Sequence, residues 1–176
     1  MHVELMREPG KEFPVLPSPN AVETLRVWHC KYRTLAQLSK FTNLQGLEVA
    51  SFPDDTLDSV GELHGLRYMR ILHLPRVTQL TPLRNLRSLI TLRLDTLPSW
   101  DASRKKTIVE SLAPLAALED LRHIELFGVV PADGSLRPLQ ALALTTARFH
   151  LVPKAEVKRF YAATGVANAH SPPPNF

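Results

Sequence analysis

Leu44-Gln45-Gly46-Leu47-Glu48-Val49 places apolar residues at its first, fourth and sixth positions, and that shape recurs along the chain. Val22, Leu25 and Val27 precede it, and Leu66, Met69 and Ile71 follow it. Leu89, Leu92 and Leu94 come next. Counted from first residue to first residue, the copies lie 22 (22 to 44), 22 (44 to 66) and 23 (66 to 89) positions apart. The gaps between them also have a rule: Leu35-Leu38-Phe41, Leu57-Val60-Leu63 and Leu80-Leu83-Leu86 put an apolar residue at every third position. A fixed period in this range is the mark of a solenoid, whose units cannot bury an apolar face alone and must stack.

Each unit therefore has two halves. Alternation in Leu25-Arg26-Val27-Trp28 predicts a short parallel strand, with Leu25 and Val27 inward and Arg26 and Trp28 outward. Spacing of three in the second half predicts a 3-10 turn or short helix on the outer, convex side.

The segments VETLRVWHC (22–30), LQGLEVASF (44–52), LRYMRILHL (66–74), LITLRLDTL (89–97) and LRHIELFGV (121–129) resemble leucine-rich repeat strand signatures. The short period is similar to that of internalins and related bacterial proteins. The resemblance implies an α/β leucine-rich repeat solenoid. Its parallel β-sheet would line the concave face, with short helices or 3-10 turns on the convex face. It also implies a role in binding another protein. The chain departs from the pattern in one respect. The position three beyond the last strand leucine, usually Asn or Cys, holds Cys30, Phe52, Leu74, Leu97, Val129 and Ala147. Only Cys30 fits, so the turns must satisfy their backbone groups without an asparagine ladder.

Outward from this core, residues 1–21 read as an N-terminal cap, with Phe13, Val15 and Leu16 covering the first repeat. About six repeats occupy 22–147, with a long insertion near 97–110. There Asp101 or Ser103 is expected to start a helix with Ile108 and Leu112 on its inner face, ended by Pro114. Trp100 is either an anchor for a partner or a local plug. Residues 148–176 read as a helical cap, from Pro153 to Ala163 with Gly165 past its end, and then a Pro-rich tail. That tail, Ser171 to Phe176, reads as disordered or as a polyproline II ligand.

The 176 residues suffice for one well-cored domain. No apolar run reaches membrane-span length, the start MHVELMREPG lacks a secretory pattern, and the single Cys30 allows no intrachain disulfide. Together these predict a cytoplasmic protein with no membrane partner. Net charge is +4, which raises nucleic acid as a partner, yet the basic residues are scattered among 17 carboxylates. Arg104-Lys105-Lys106 is the nearest thing to a cluster.

No phosphate-loop, dinucleotide or H-E-x-x-H motif is present. His29 and Cys30 should face opposite ways, and His29 and His73 should lie two strands apart, too far to share a metal. The reading is thus no enzyme, no metal and no cofactor. Function falls to the concave face, with a middle column Arg26, Glu48, Arg70, Arg93, Glu125, Ala143. A second column runs Trp28, Ala50, Leu72, Asp95, Phe127, Thr145. The partner-binding candidates are Arg26, Trp28, Tyr68, Arg70, Leu72, Arg93, Asp95 and Phe127, because exposed aromatics beside arginines have an interface composition. Arg70 beside Arg93 needs a negative group, from Asp95 or a partner. A protein partner is the first expectation, with RNA or DNA binding as the alternative and self-association a further route.

Overall fold

The computed structural model describes residues 1–174; Asn175 and Phe176, the end of the Pro-rich tail, lie outside the described residues. Seven strands form one parallel sheet: β1 (His2–Met6), β2 (Thr24–Trp28), β3 (Gly46–Ala50), β4 (Tyr68–Leu72), β5 (Thr91–Asp95), β7 (His123–Phe127) and β9 (Thr146–His150). A second, two-stranded sheet pairs β6 (Thr107–Val109) with β8 (Val129–Pro131). Among the described residues the three α-helices are short or terminal: α1 (Asp58–Gly61), α2 (Pro98–Ala102) and α3 (Lys154–Thr164).

The register is that of stacked coils. Leu25 pairs with Leu47, Leu47 with Met69, Met69 with Leu92 and Leu92 with Ile124. All five are buried, as is the parallel column Val27, Val49, Ile71, Leu94 and Leu126. The convex half is a run of 3-10 turns. Leu38 donates its N–H to Leu35, Phe41 to Leu38 and Leu44 to Phe41, at 2.9–3.0 Å. A three-residue repeat of leucine is what this geometry requires, because i and i+3 eclipse.

The turns after the strands solve the missing-asparagine problem with backbone. Arg7, His29, Ser51, His73, Gly128 and Leu151 each directly follow a strand and adopt positive φ. At Arg7, Ser51, His73 and Gly128 the left-handed residue donates its N–H to a carbonyl of the next coil. Ser51 donates to the Leu72 carbonyl at 2.8 Å, and His73 to that of Asp95 at 2.7 Å. Thr96 reaches the Phe127 carbonyl at 2.8 Å, although it is not among the positive-φ residues. The side chains that follow, Cys30, Phe52, Leu74 and Val129, are then free to be a buried apolar column. Gly128 is the one of these positions with no alternative, since a Cβ there would collide with the Thr96 side chain.

The structure differs from the sequence reading at both ends and in the insertion. Residues 1–21 are more than a cap. Val3 and Leu5 pair with Leu25 and Val27, so His2–Met6 is a full strand of the sheet. Phe13 does plug the first coil, edge-on to Tyr32 and Phe41, and Leu16 packs against the core, but Val15 is 96% exposed. In the insertion the helix comes earlier, at Pro98–Ala102, and residues 107–109 are a strand. Ile108 therefore points outward, 49% exposed, while Thr107 and Val109 are buried. Leu112 belongs to the next 3-10 turn, with Leu115 and Leu118. Trp100 is half-buried and packs against His73, ring centroids 4.8 Å apart.

At the C-terminal end the last strand is Thr146–His150, beyond Ala143 and Thr145, where the outward columns were expected to end. Ala147 and Phe149 fall beside Ile124 and Leu126, 23 positions on, and Val152 closes the turn. Helix α3 covers this strand by burying Phe160 against Phe149, with Gly165 at φ +67 ending it. Glu156 fastens the helix to the preceding coil: it accepts the Leu136 N–H at 2.7 Å and pairs with Arg159 at 2.6 Å. The Arg159 hydrogen bond, helped by the Leu136 N–H, holds the Glu156 carboxyl down to about 2. Among the described residues no helix is long and apolar enough to cross a membrane.

Two outcomes are expected. Leu47→Ala opens a cavity in the centre of the column and costs about 3 kcal/mol by urea denaturation, whereas Ile108→Ala costs under about 0.5 kcal/mol. Equal costs would contradict the register. Because the Glu156 carboxyl sits below its ordinary 4.5, its stabilisation is full above that value and fades as pH falls toward about 2. The Tm difference between the unaltered chain and Glu156→Gln should therefore shrink steadily between pH 5 and pH 2.

Candidate functional site

The register dictates which outward side chains are neighbours. The middle column of the concave face is Glu4, Arg26, Glu48, Arg70, Arg93, Glu125 and Arg148. The column beside it, at the C-terminal strand ends, is Met6, Trp28, Ala50, Leu72, Asp95, Phe127 and His150. Arg148 and His150 take the places expected for Ala143 and Thr145, which lie before the strand. Counting leucines misplaces it, because its inward pair is Ala147 and Phe149. Glu4 and Met6 extend both columns at the other edge.

Signs alternate along the middle column except at Arg70 and Arg93, and strands about 4.8 Å apart turn alternation into ion pairs. Arg26 bridges two coils, reaching Glu4 at 2.9 Å and Glu48 at 3.2 Å. The like pair, Arg70 and Arg93, is resolved from the neighbouring column. Asp95 takes Arg70 Nε at 3.1 Å and stands 3.9 Å from Arg93. Burial pushes the Asp95 carboxyl up, and the two guanidiniums oppose that shift. Glu125 is 1% exposed and lies 3.6 Å from Arg93 and 3.7 Å from Arg148.

The aromatic candidates sit under cations. The Arg26 guanidinium lies 4.4 Å from the Trp28 ring centroid, and Arg70 lies 5.5 Å away. Arg148 covers Phe127 at 4.8 Å, and His150 stacks on the same ring. The insertion reaches this corner: Asp101 pairs with His150 at 2.6 Å, and Pro98 and Asp101 help rim a cavity of about 430 Å³ over Phe127.

Six of the sequence candidates, Arg26, Trp28, Arg70, Leu72, Arg93 and Phe127, are half-buried on this one face. Tyr68 and Asp95 share the face but are buried. Tyr68 donates its hydroxyl to Glu48 at 3.3 Å, and burial pushes it up to about 12. Glu4, Met6, Arg148 and His150 were not among the candidates. The first two were legible, since Val3 and Leu5 precede Leu25 and Val27 by 22 positions.

Cys30 is buried, its thiol donating to the Leu5 carbonyl at 3.3 Å, while His29 is exposed. Among the described residues no group of three or more His, Cys, Asp or Glu is placed to hold a metal.

Comparison with solved structures bears on the fold. Internalin C2 from Listeria monocytogenes superposes with a TM-score of 0.58 at 24% identity, over 74% of this chain and 52% of its own. An internalin F from the same species gives 0.50 at 15% identity, over 84% of this chain and 53% of its own. The chain has the leucine-rich repeat fold and spans about half the length of these internalins. No protein-family profile and no curated protein sequence matches it.

Asp95→Ala leaves Arg70 and Arg93 side by side without their shared carboxylate. The expected loss is about 2 kcal/mol, between the values for surface and buried pairs, with Asp95→Asn milder. Urea denaturation in low salt checks it. An unchanged midpoint would mean the two arginines were never held by Asp95.

Proposed function

We propose that this chain is a non-enzymatic protein-interaction module that engages a partner protein through its concave sheet and the loops at the strand ends. The observation that carries this reading is the strip Met6, Trp28, Ala50, Leu72 on four adjacent strands. Met6 is 46% exposed, Trp28 and Leu72 are half-buried, and Arg26 and Arg70 flank the indole. Single apolar side chains at a surface are ordinary. Ala50 between them is buried, so the accessible apolar groups are Met6, Trp28 and Leu72, and such a cluster rimmed by arginines has the make-up of an interface centre.

Area limits the partner's shape. Seven strands span about six gaps of 4.8 Å, or roughly 29 Å. With a strand face near 20 Å, the platform is about 600 Å², below the ~800 Å² a standard partner covers. The partner must therefore also use the flanking loops, or be an extended segment; a second copy of this chain is the remaining route.

Charge weighs against the nucleic-acid alternative at this face. Arg26, Arg70, Arg93 and Arg148 meet Glu4, Glu48, Asp95 and Glu125, four cations against four carboxylates, each arginine within 4 Å of an acid. Phosphate neutralisation needs cations that are not already paired.

The test is affinity purification from the native host with the unaltered chain and with Trp28→Ala/Leu72→Ala. A partner captured by the first should be lost, by about ten-fold or more, with the second. The convex control Ser39→Ala should capture it normally. Equal capture by all three chains overturns the reading.

A further inference from the structure

The described chain ends on the concave face itself. After α3, Ala167 docks beside β9: it donates to the Thr145 carbonyl at 3.3 Å and accepts the Ala147 N–H at 3.0 Å. The chain then turns across the strands. His170 accepts from the Arg148 guanidinium on β9. Ser171 donates its backbone N–H to Glu125 Oε1, on β7, at 2.7 Å. Pro174 reaches a cavity of about 330 Å³ that Arg26, Glu48 and Tyr68 also line, on β2, β3 and β4.

Three physical points make this track specific. First, Glu125 is buried, and a buried carboxylate requires donors. Both guanidiniums near it stand beyond hydrogen-bond length, so among the described residues its hydrogen bond comes from Ser171. Second, Ser171 is only 9% exposed although His170 and Pro172 on either side are exposed. A single tail residue is thus pressed into the sheet. Third, the length fits. A proline run advances about 3.1 Å per residue, so Ser171 to Pro174 covers about 9 Å. From β7 to β4 is two strand gaps, also about 9.6 Å. Prolines carry no N–H, so the run crosses the sheet without leaving a donor unsatisfied.

We propose that the concave face is a receptor for an extended, proline-containing peptide segment of the partner, which presents one backbone N–H to Glu125. Residues 170–174 are the chain's own occupant of that track. The inference rests on the concave face being the binding surface; it names what binds there and what withholds it. A tethered segment acts at an effective concentration in the millimolar range, so the tail masks the track against weak ligands and yields to strong ones.

The experiment uses the full chain and a fluorescent peptide of residues 168–174, Asn-Ala-His-Ser-Pro-Pro-Pro. Ser171→Pro in the protein deletes the donor and sets a ring methylene against the carboxylate, so it frees the track. By fluorescence anisotropy this variant should bind the peptide at least about ten-fold tighter than the unaltered chain. It should also reject, by a similar factor, a peptide that itself carries Ser171→Pro. Equal affinity of the two proteins, indifference to the peptide's N–H, or no binding to the variant overturns the proposal. Amide exchange on the unaltered chain gives a second measurement that does not depend on the variant folding. The Ser171 N–H should be protected, and exchange at the rate of a free tail overturns the proposal. Neither measurement uses the partner. Failure here with Trp28-dependent capture intact removes only the peptide track; peptide binding without Trp28-dependent capture removes the partner-binding reading, and with it the partner's segment as an occupant of the track.

Discussion

The molecule depends on one constraint: after 22 or 23 residues the chain must return to the same place, one strand spacing along. Meeting it puts Leu47 on Leu25, Met69 on Leu47 and Leu92 on Met69. No single coil could bury these side chains, because each has only one layer of its own. Stacking turns several unstable units into one continuous core, and the 3-10 turns on the convex side follow, since leucine at every third residue packs inward only on a three-residue helix.

The same constraint leaves the outward side chains no choice of neighbours. Residues at equivalent positions are held about 4.8 Å apart whether or not they suit one another. Alternating Glu4, Arg26 and Glu48 suit one another. Arg70 and Arg93 do not, and the conflict is relieved from the side by Asp95, in a column that is otherwise largely apolar. That carboxylate is buried at the cost of a raised affinity for protons. Electrostatics on this face is therefore a consequence of the core register, and the half-buried Trp28 and Phe127 lie against the arginines that the register has paired.

The strand exits show backbone geometry substituting for side-chain chemistry. A left-handed residue after a strand costs about 1–2 kcal/mol when it is not glycine. In return its N–H meets a carbonyl of the next coil, as Ser51 does with Leu72 and Arg7 with Trp28. With the ladder made by backbone, the position usually given to asparagine is released to Phe52, Leu74 and Val129, which extend the apolar core to the very edge of the sheet.

The period, the parallel sheet, the 3-10 halves and the middle of both outward columns were legible in residues 22–127, because a repeat shows each copy against the others. The sequence was less clear where a coil used other residues for the same job. Val3 and Leu5 have no leucine before them, and Ala147 with Phe149 looks unlike Leu-x-Leu; both are strands because neighbouring backbone offers unpaired N–H and C=O groups at those edges. Ile108 reads as helical by spacing but lies on a strand, since Thr107–Val109 finds a partner in Val129–Pro131. Most of all, nothing local to Ser171 marks it as buried. The sequence alone determined which residues stack, since stacking repeats a local pattern; only the tertiary structure decided that the tail returns across the sheet, since the buried Glu125 that receives it is 46 residues away.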